Sequence, residues 1–176
     1  MKERTISMHV KVEQISALLK KGRVSVLDYV SATLTQKATF VRSMLYIHDE
    51  GNFYVPKYIA GDIVPIKEPF IIEDGEIIYK ADHMNEKKLW QPSISMKAND
   101  IRLYGKVVDV YAIRLHDMKK KDFALAGFND KQSFVAWWNE FVRQNCRIIS
   151  SREKKKKVFG FDANPMVWVY VIERNE

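Results

Sequence analysis

Two rhythms of apolar residues alternate along the chain. Between Lys11 and Lys21 they recur at Val12, Ile15, Leu18 and Leu19, the spacing of one helix face, and Gly22 stands where such a helix stops. Arg23–Val30 is β-branched and predicts a strand, as does Thr5–Val10 before the helix. Thr39–Ile47 and Asn52–Tyr58 predict two strands around the hairpin signal Asp49-Glu50-Gly51-Asn52. After the Gly61-Asp62 turn, Ile63–Ile72 predicts an edge or bulged strand, because Pro65 and Pro69 interrupt it. Asp74-Gly75 turns the chain back into Glu76–Ala81, and His83–Leu89 is polar and loop-like.

Ile101–Leu115 is long for one strand, and its apolar phase changes along the way. Ile101, Leu103 and Val107 share one parity, whereas Val108, Val110 and Ala112 share the other, so Gly105 is the expected site of a bulge that bends the sheet. Two helices follow. Met118–Ala126 is short. The second is expected to start from Asn129, with Gln132 as the reciprocal capping residue. Its stripe of Phe134, Trp137, Trp138, Phe141 and Val142 reads as core. Met166–Ile172 is apolar without a break, as a strand buried on both faces would be.

Eight strands that mostly meander, with three helices towards the ends, imply an α+β fold on a curled or closed sheet. No repeat and no Pro/Gly/Ser-rich linker divides residues 1–176, which read as a single domain. The chain is 47% hydrophobic, enough for a sizeable core, yet no apolar run approaches a membrane span. One cysteine, Cys146, and a charged N-terminus without a signal-peptide pattern point to the cytoplasm.

Charge changes the picture most. Twenty-nine Lys and Arg against 22 Asp and Glu give a net +7, which favours polyanionic partners. The runs Lys119–Lys121 and Lys154–Lys157 suit non-specific backbone contact or a solvated face. The Lys20-Lys21-Gly22-Arg23 turn either grips a phosphate or is a solvated helix end whose cations complement the dipole. His9, His48, His83 and His116 lie in unrelated contexts, and paired-cysteine and His-Glu-x-x-His spacings are lacking, so the sequence implies no metal site. Nor does it hold a phosphate-binding glycine loop, and no cofactor is implied.

A set of motifs in fixed order carries a family resemblance. They are Gly61-Asp62-Ile63-Val64-Pro65-Ile66-Lys67-Glu68, then Tyr79-Lys80-Ala81-Asp82, then Trp90-Gln91-Pro92-Ser93-Ile94-Ser95-Met96. Asp109-Val110, Leu115-His116-Asp117, Asp122 and Ala126-Gly127-Phe128 come next. Phe134–Asn139 and Asp162–Val169 close the series. Across residues 61–173 this order resembles the phage and prophage branch of the ASCH superfamily, whose members have a PUA-like β-barrel. Several positions depart from that branch: Lys67 replaces an arginine, Ser95 replaces a histidine, and of the usual Pro-Arg-Trp-Ala-Ser-Arg only Arg102 is kept. Where relatives carry Gly-x-Lys-Thr, this chain has Gly22-Arg23-Val24-Ser25, so a lysine that is catalytic in amidohydrolase relatives is replaced by Val24.

The resemblance implies a non-catalytic RNA- or nucleic-acid-binding module that takes a base or nucleotide in a cleft at the barrel mouth. A hydrolase acting on a modified nucleoside or nucleic acid, amidohydrolase or nuclease, is the alternative. The candidate binding residues are Lys21, Arg23, Ser25, Lys67, Glu68, Trp90, Ser93, Ser95 and Arg102. Glu68 would accept from an exocyclic amine or act as a base, or else form a salt bridge. Trp90 would stack on a base or plug the barrel end. Arg102 would neutralise a phosphate or pair with a carboxylate.

Overall fold

The computed structural model describes residues 12–29, 47–49, 52–54, 56–145 and 159–175. The expected strand at Thr5–Val10, most of the one at Thr39–Ile47, Cys146 and the basic run Lys154–Lys157 lie outside them.

Helix α1, Val12–Lys21, forms where the periodicity predicts it. Gly22 ends it in the left-handed region (φ 71°), with its N–H donating to Leu18 O at 2.9 Å. The chain runs directly into β1, Arg23–Tyr29. A short hairpin follows, β2 (Ile47–Asp49) with β3 (Asn52–Tyr54). The second of these strands does not extend to Tyr58, as expected from the sequence; Pro56–Tyr58 lies outside it.

The expected strand Ile63–Ile72 is two strands. β4, Ile63–Ile66, pairs with β7, and β5, Phe70–Glu73, pairs with β6, Glu76–Tyr79. The two prolines account for the division. Pro65 is tolerated because β4 is terminal in its sheet, where a missing N–H leaves the ladder intact. At Lys67-Glu68-Pro69 the chain leaves that sheet, and Pro69 O accepts the Lys80 N–H at 2.9 Å, closing the base of the β5–β6 hairpin.

β7, Leu103–Arg114, and β8, Met166–Asn175, complete a four-stranded antiparallel sheet in the order β1-β8-β7-β4. The sheet is curled into half of a barrel, with helices flanking it, in a fold that mixes helix and strand. The bulge in β7 falls between Val107 and Asp109, not at Gly105. This is where the apolar parity changes: an extra residue, Val108, restores the inward phase for Val110 and Ala112. Gly105 stays in regular register opposite Val64 and Arg174. It is a glycine for another reason: a side chain there would run into the Ile172 side chain, with Ile66 close behind.

Successive residues of β1 and β8 point to opposite faces, and each face has its own core. On one, Val24, Val26, Val107, Tyr170 and Ile172 pack against Ile15 and Leu18 of α1. On the other, Leu27, Val167 and Val169 meet Phe123, Phe134 and Trp138 of helices α2 (Lys120–Leu125) and α3 (Lys131–Asn145). Val167–Ile172 is therefore buried without interruption, each side chain contributing about 1.5–3 kcal/mol over leaving it in water.

Helix α2 is shorter than the expected Met118–Ala126, because Asp122 Oδ2 accepts the Lys119 N–H at 2.7 Å and fixes the first turn there. The cap of α3 is Asp130 rather than Asn129. Its Oδ1 accepts the Ser133 N–H at 2.7 Å, which leaves Gln132 one position short of a capping box. The expected aromatic stripe of α3 does pack as core: Phe134, Trp138 and Val142 are buried, with Trp137 and Phe141 half-buried beside them.

Candidate nucleic-acid interface

Glu68 follows β4 by two residues and is 1% exposed. A carboxylate so deep needs partners, and Arg102, just ahead of β7, supplies them. Its Nε donates to Oε1 at 2.8 Å and its Nη2 to Oε2 at 3.0 Å, a two-pronged pair. Nη1 donates to Asp82 Oδ2 at 2.5 Å. The guanidinium lies 3.9 Å from the centre of the Tyr79 ring, whose hydroxyl donates to Asp100 O at 2.9 Å. Burial opposes the charge on Arg102, but the hydrogen bonds to Glu68 and Asp82 outweigh it and hold the guanidinium above the ordinary arginine range. Burial is also the main cause that raises the Tyr79 phenol above its ordinary value.

This cluster fastens the ends of β4, β6 and β7 to one another. Of the alternatives for Glu68 and Arg102, it is the ion pair that the structure contains. Tyr79 and Asp82 belong to the Tyr79–Asp82 motif yet were not among the expected binding residues, and they complete the clamp. Helix α1 packs on the same Lys80–Asp82 turn, with Leu18 and Ala81 in one core cluster.

The remaining candidates lie around this clamp in different settings. Lys67, beside Glu68, is half-buried. Gln91 exchanges backbone hydrogen bonds with Phe70 at 2.7 and 3.3 Å, so the Trp90–Met96 segment runs beside the β5–β6 hairpin. Lys88 bonds Glu73 at 2.9 Å in the same ribbon. Trp90 is half-buried, its Nε1–H donating to Glu86 O at 3.4 Å. Ser93–Ser95 makes one tight turn, in which Ser95 is exposed, and Met96 beyond it is buried.

The β1 candidates separate. Lys21 is exposed at the end of α1, and Arg23 bonds Glu173 at 3.1 Å on the sheet surface. Arg23, Glu173, Lys106 and Ile63 form one row across the sheet, and Tyr104 shares that face two residues from Lys106. Tyr104 is 41% exposed, an aromatic beside cations that composition alone did not single out. Ser25, on the same face as Arg23, is instead buried, beside Leu27 and the start of α2. Val24 is fully buried against α1, in apolar core.

Gln14 carried no sequence signal. It is a buried polar residue on the apolar face of α1, and its Nε2 donates to Ser25 O and Ala126 O, both at 3.0 Å. It thereby ties α1, β1 and the end of α2 together.

No protein-family model, curated protein or solved structure matches the chain. The reading of the site therefore rests on the residues themselves. Among the described residues there is no group of three or more His, Cys, Asp or Glu that could hold a metal ion, and no helix is long and apolar enough to cross a membrane. The terminal motif has a structural part. Phe161–Ala163 turns the chain, Asn164 takes φ 49°, and its Oδ1 accepts the His116 N–H at 2.9 Å, setting β8 against the end of β7.

Proposed function

We propose that the protein is a non-catalytic, ASCH-type binding module for RNA or another single-stranded nucleic acid, working in the cytoplasm. The observation that carries this reading is the cationic surplus of +7 on a curled sheet, one face of which exposes Tyr104, Lys106 and Arg23 at one end. Phosphates are drawn by the cations, and an exposed aromatic offers a stacking platform for a base. The ordered motifs from Gly61 to Val169 and the half-barrel with flanking helices agree with a PUA-like architecture. The clamp on Glu68 fixes the chain next to Lys67, and Gln91 holds the Trp90–Ser95 segment beside Phe70.

The non-catalytic part rests on Val24, which has neither a lone pair nor a transferable proton and sits in apolar core.

Fluorescence anisotropy with a labelled single-stranded RNA tests the reading. The expected result is binding whose affinity falls steeply, by orders of magnitude, between about 50 and 200 mM salt. Absence of binding to RNA and single-stranded DNA, or an affinity indifferent to salt, would overturn it.

A further inference from the structure

Tyr104 does not stand alone on its face of the sheet. In register it lies between Pro65 of β4 and Asn175 of β8, and two residues further along β7 Lys106 lies between Ile63 and Glu173. Side chains directly opposite each other, or two apart along a strand, share a face, so Tyr104, Asn175, Lys106 and Glu173 are the corners of one patch. Tyr104, Lys106 and Asn175 are exposed. Glu173 is engaged with Arg23 at 3.1 Å. By contrast, among the described residues the Tyr104 ring, the Lys106 ammonium and the Asn175 amide make no hydrogen bond, ion pair or ring contact. Directly opposite residues have Cα atoms about 4.5–5.5 Å apart, which brings the free Asn175 amide to the rim of anything stacked on the ring. We propose that Asn175 reads the edge of a base stacked on Tyr104, and that the base it selects is adenine.

Asn175 thereby gives the nucleic-acid binding proposed above, on which this assignment rests, a base preference. Phosphate contacts hold a strand but carry no information about its sequence, whereas a contact to a base edge does. A carboxamide sets an acceptor beside a donor. Adenine presents the complementary pair on both of its edges, N6–H beside N7 on one and N6–H beside N1 on the other, so either edge meets the amide through two hydrogen bonds. Guanine shows two acceptors, N7 and O6, on the first of these edges, and cytosine and uracil have a matching pair on one edge only. A purine also covers more of a tyrosine ring than a pyrimidine does. The charges fit the same pose. Two residues along a strand span about 7 Å, so the Lys106 ammonium reaches the phosphate of the nucleotide whose base lies on Tyr104. Arg23, beyond Glu173 in the same row, then meets the next phosphate.

The test is fluorescence anisotropy of the full chain with four labelled RNA oligomers, each about eight nucleotides long and made of uridine except for a central A, C, G or U. The oligomer with the central A is expected to bind about tenfold tighter than the other three. Asn175→Ala should bring it down to their level, and Asn175→Gln, which keeps the amide, should retain part of the preference. Tyr104→Leu removes the platform and should weaken all four. The three side chains are exposed, so these variants are expected to fold like the parent. Equal affinities for the four oligomers, a preference for another base, or an adenine preference that survives Asn175→Ala would overturn the assignment while leaving nucleic-acid binding in place. Failure to bind any of the four would remove both.

Discussion

Two arginine–carboxylate pairs, one at the margin of the sheet and one on it, behave as different objects. Arg102 meets Glu68 through two hydrogen bonds, and the carboxylate is shut away from water. Arg23 meets Glu173 through one contact of 3.1 Å, with side chains 52% and 47% exposed. In the first pair the carboxylate has lost its hydration and depends on the arginine, which is itself held by Asp82 and the Tyr79 ring. In the second, water and salt compete with every contact, so the arginine can exchange its partner for a phosphate at little cost. Similar chemistry thus serves architecture in one place and leaves a cation available in the other.

The comparison is most exposed to failure at Arg102. Arg102→Ala strands a buried carboxylate, and we expect a loss of about 3–5 kcal/mol in urea-unfolding free energy. A loss below about 1 kcal/mol would mean that Glu68 finds water or another donor, and the contrast between the pairs would collapse. Tyr79→Leu sharpens the account of the clamp. It removes the ring under the guanidinium and the bond to Asp100 O, and should cost about 1–2 kcal/mol by the same measurement. Arg23→Ala has the smallest expected effect on stability, within about 1 kcal/mol and vanishing at high salt. Its effect should appear in RNA affinity instead, lowering it and reducing the salt slope by about one. An Arg23→Ala variant that unfolded easily yet bound RNA as before would reverse the roles assigned to the two pairs.

Local patterns in the sequence made part of this legible. The spacing of Ile15 and Leu18 with Gly22 behind them marks α1, and the unbroken run Met166–Ile172 marks a strand with two covered faces. Both features are repeated within a few residues. The bulge was visible as a change of parity, but glycine drew it to the wrong place, since Gly105 is small to make room for Ile172. The division at Lys67-Glu68-Pro69 could not be read, because a proline is compatible with either an edge strand or a break. Asn129 and Asp130 are both good caps, and only geometry chooses between them. At the site, Glu68 and Arg102 were each picked out, but 34 residues separate them and neither residue carries a mark of the other. Ser25 shows the same limit: a hydroxyl in a strand has one of two faces, and which part of a face a helix covers is decided about 100 residues away.

The position of β8 has a consequence for how the protein comes into being. It lies between β1 and β7, and its register joins Arg23 to Glu173 and Val107 to Ile172. While the chain is being synthesised, β1 and β7 wait with their apolar residues unpaired until residues 166–175 have been made. The β4–β7 pairing and the β5–β6 hairpin can close early, whereas the β1–β8 pairing must close a loop spanning most of the chain. The centre of the sheet is therefore among its last parts to form, and in the interval the nascent protein presents a surface suited to chaperones.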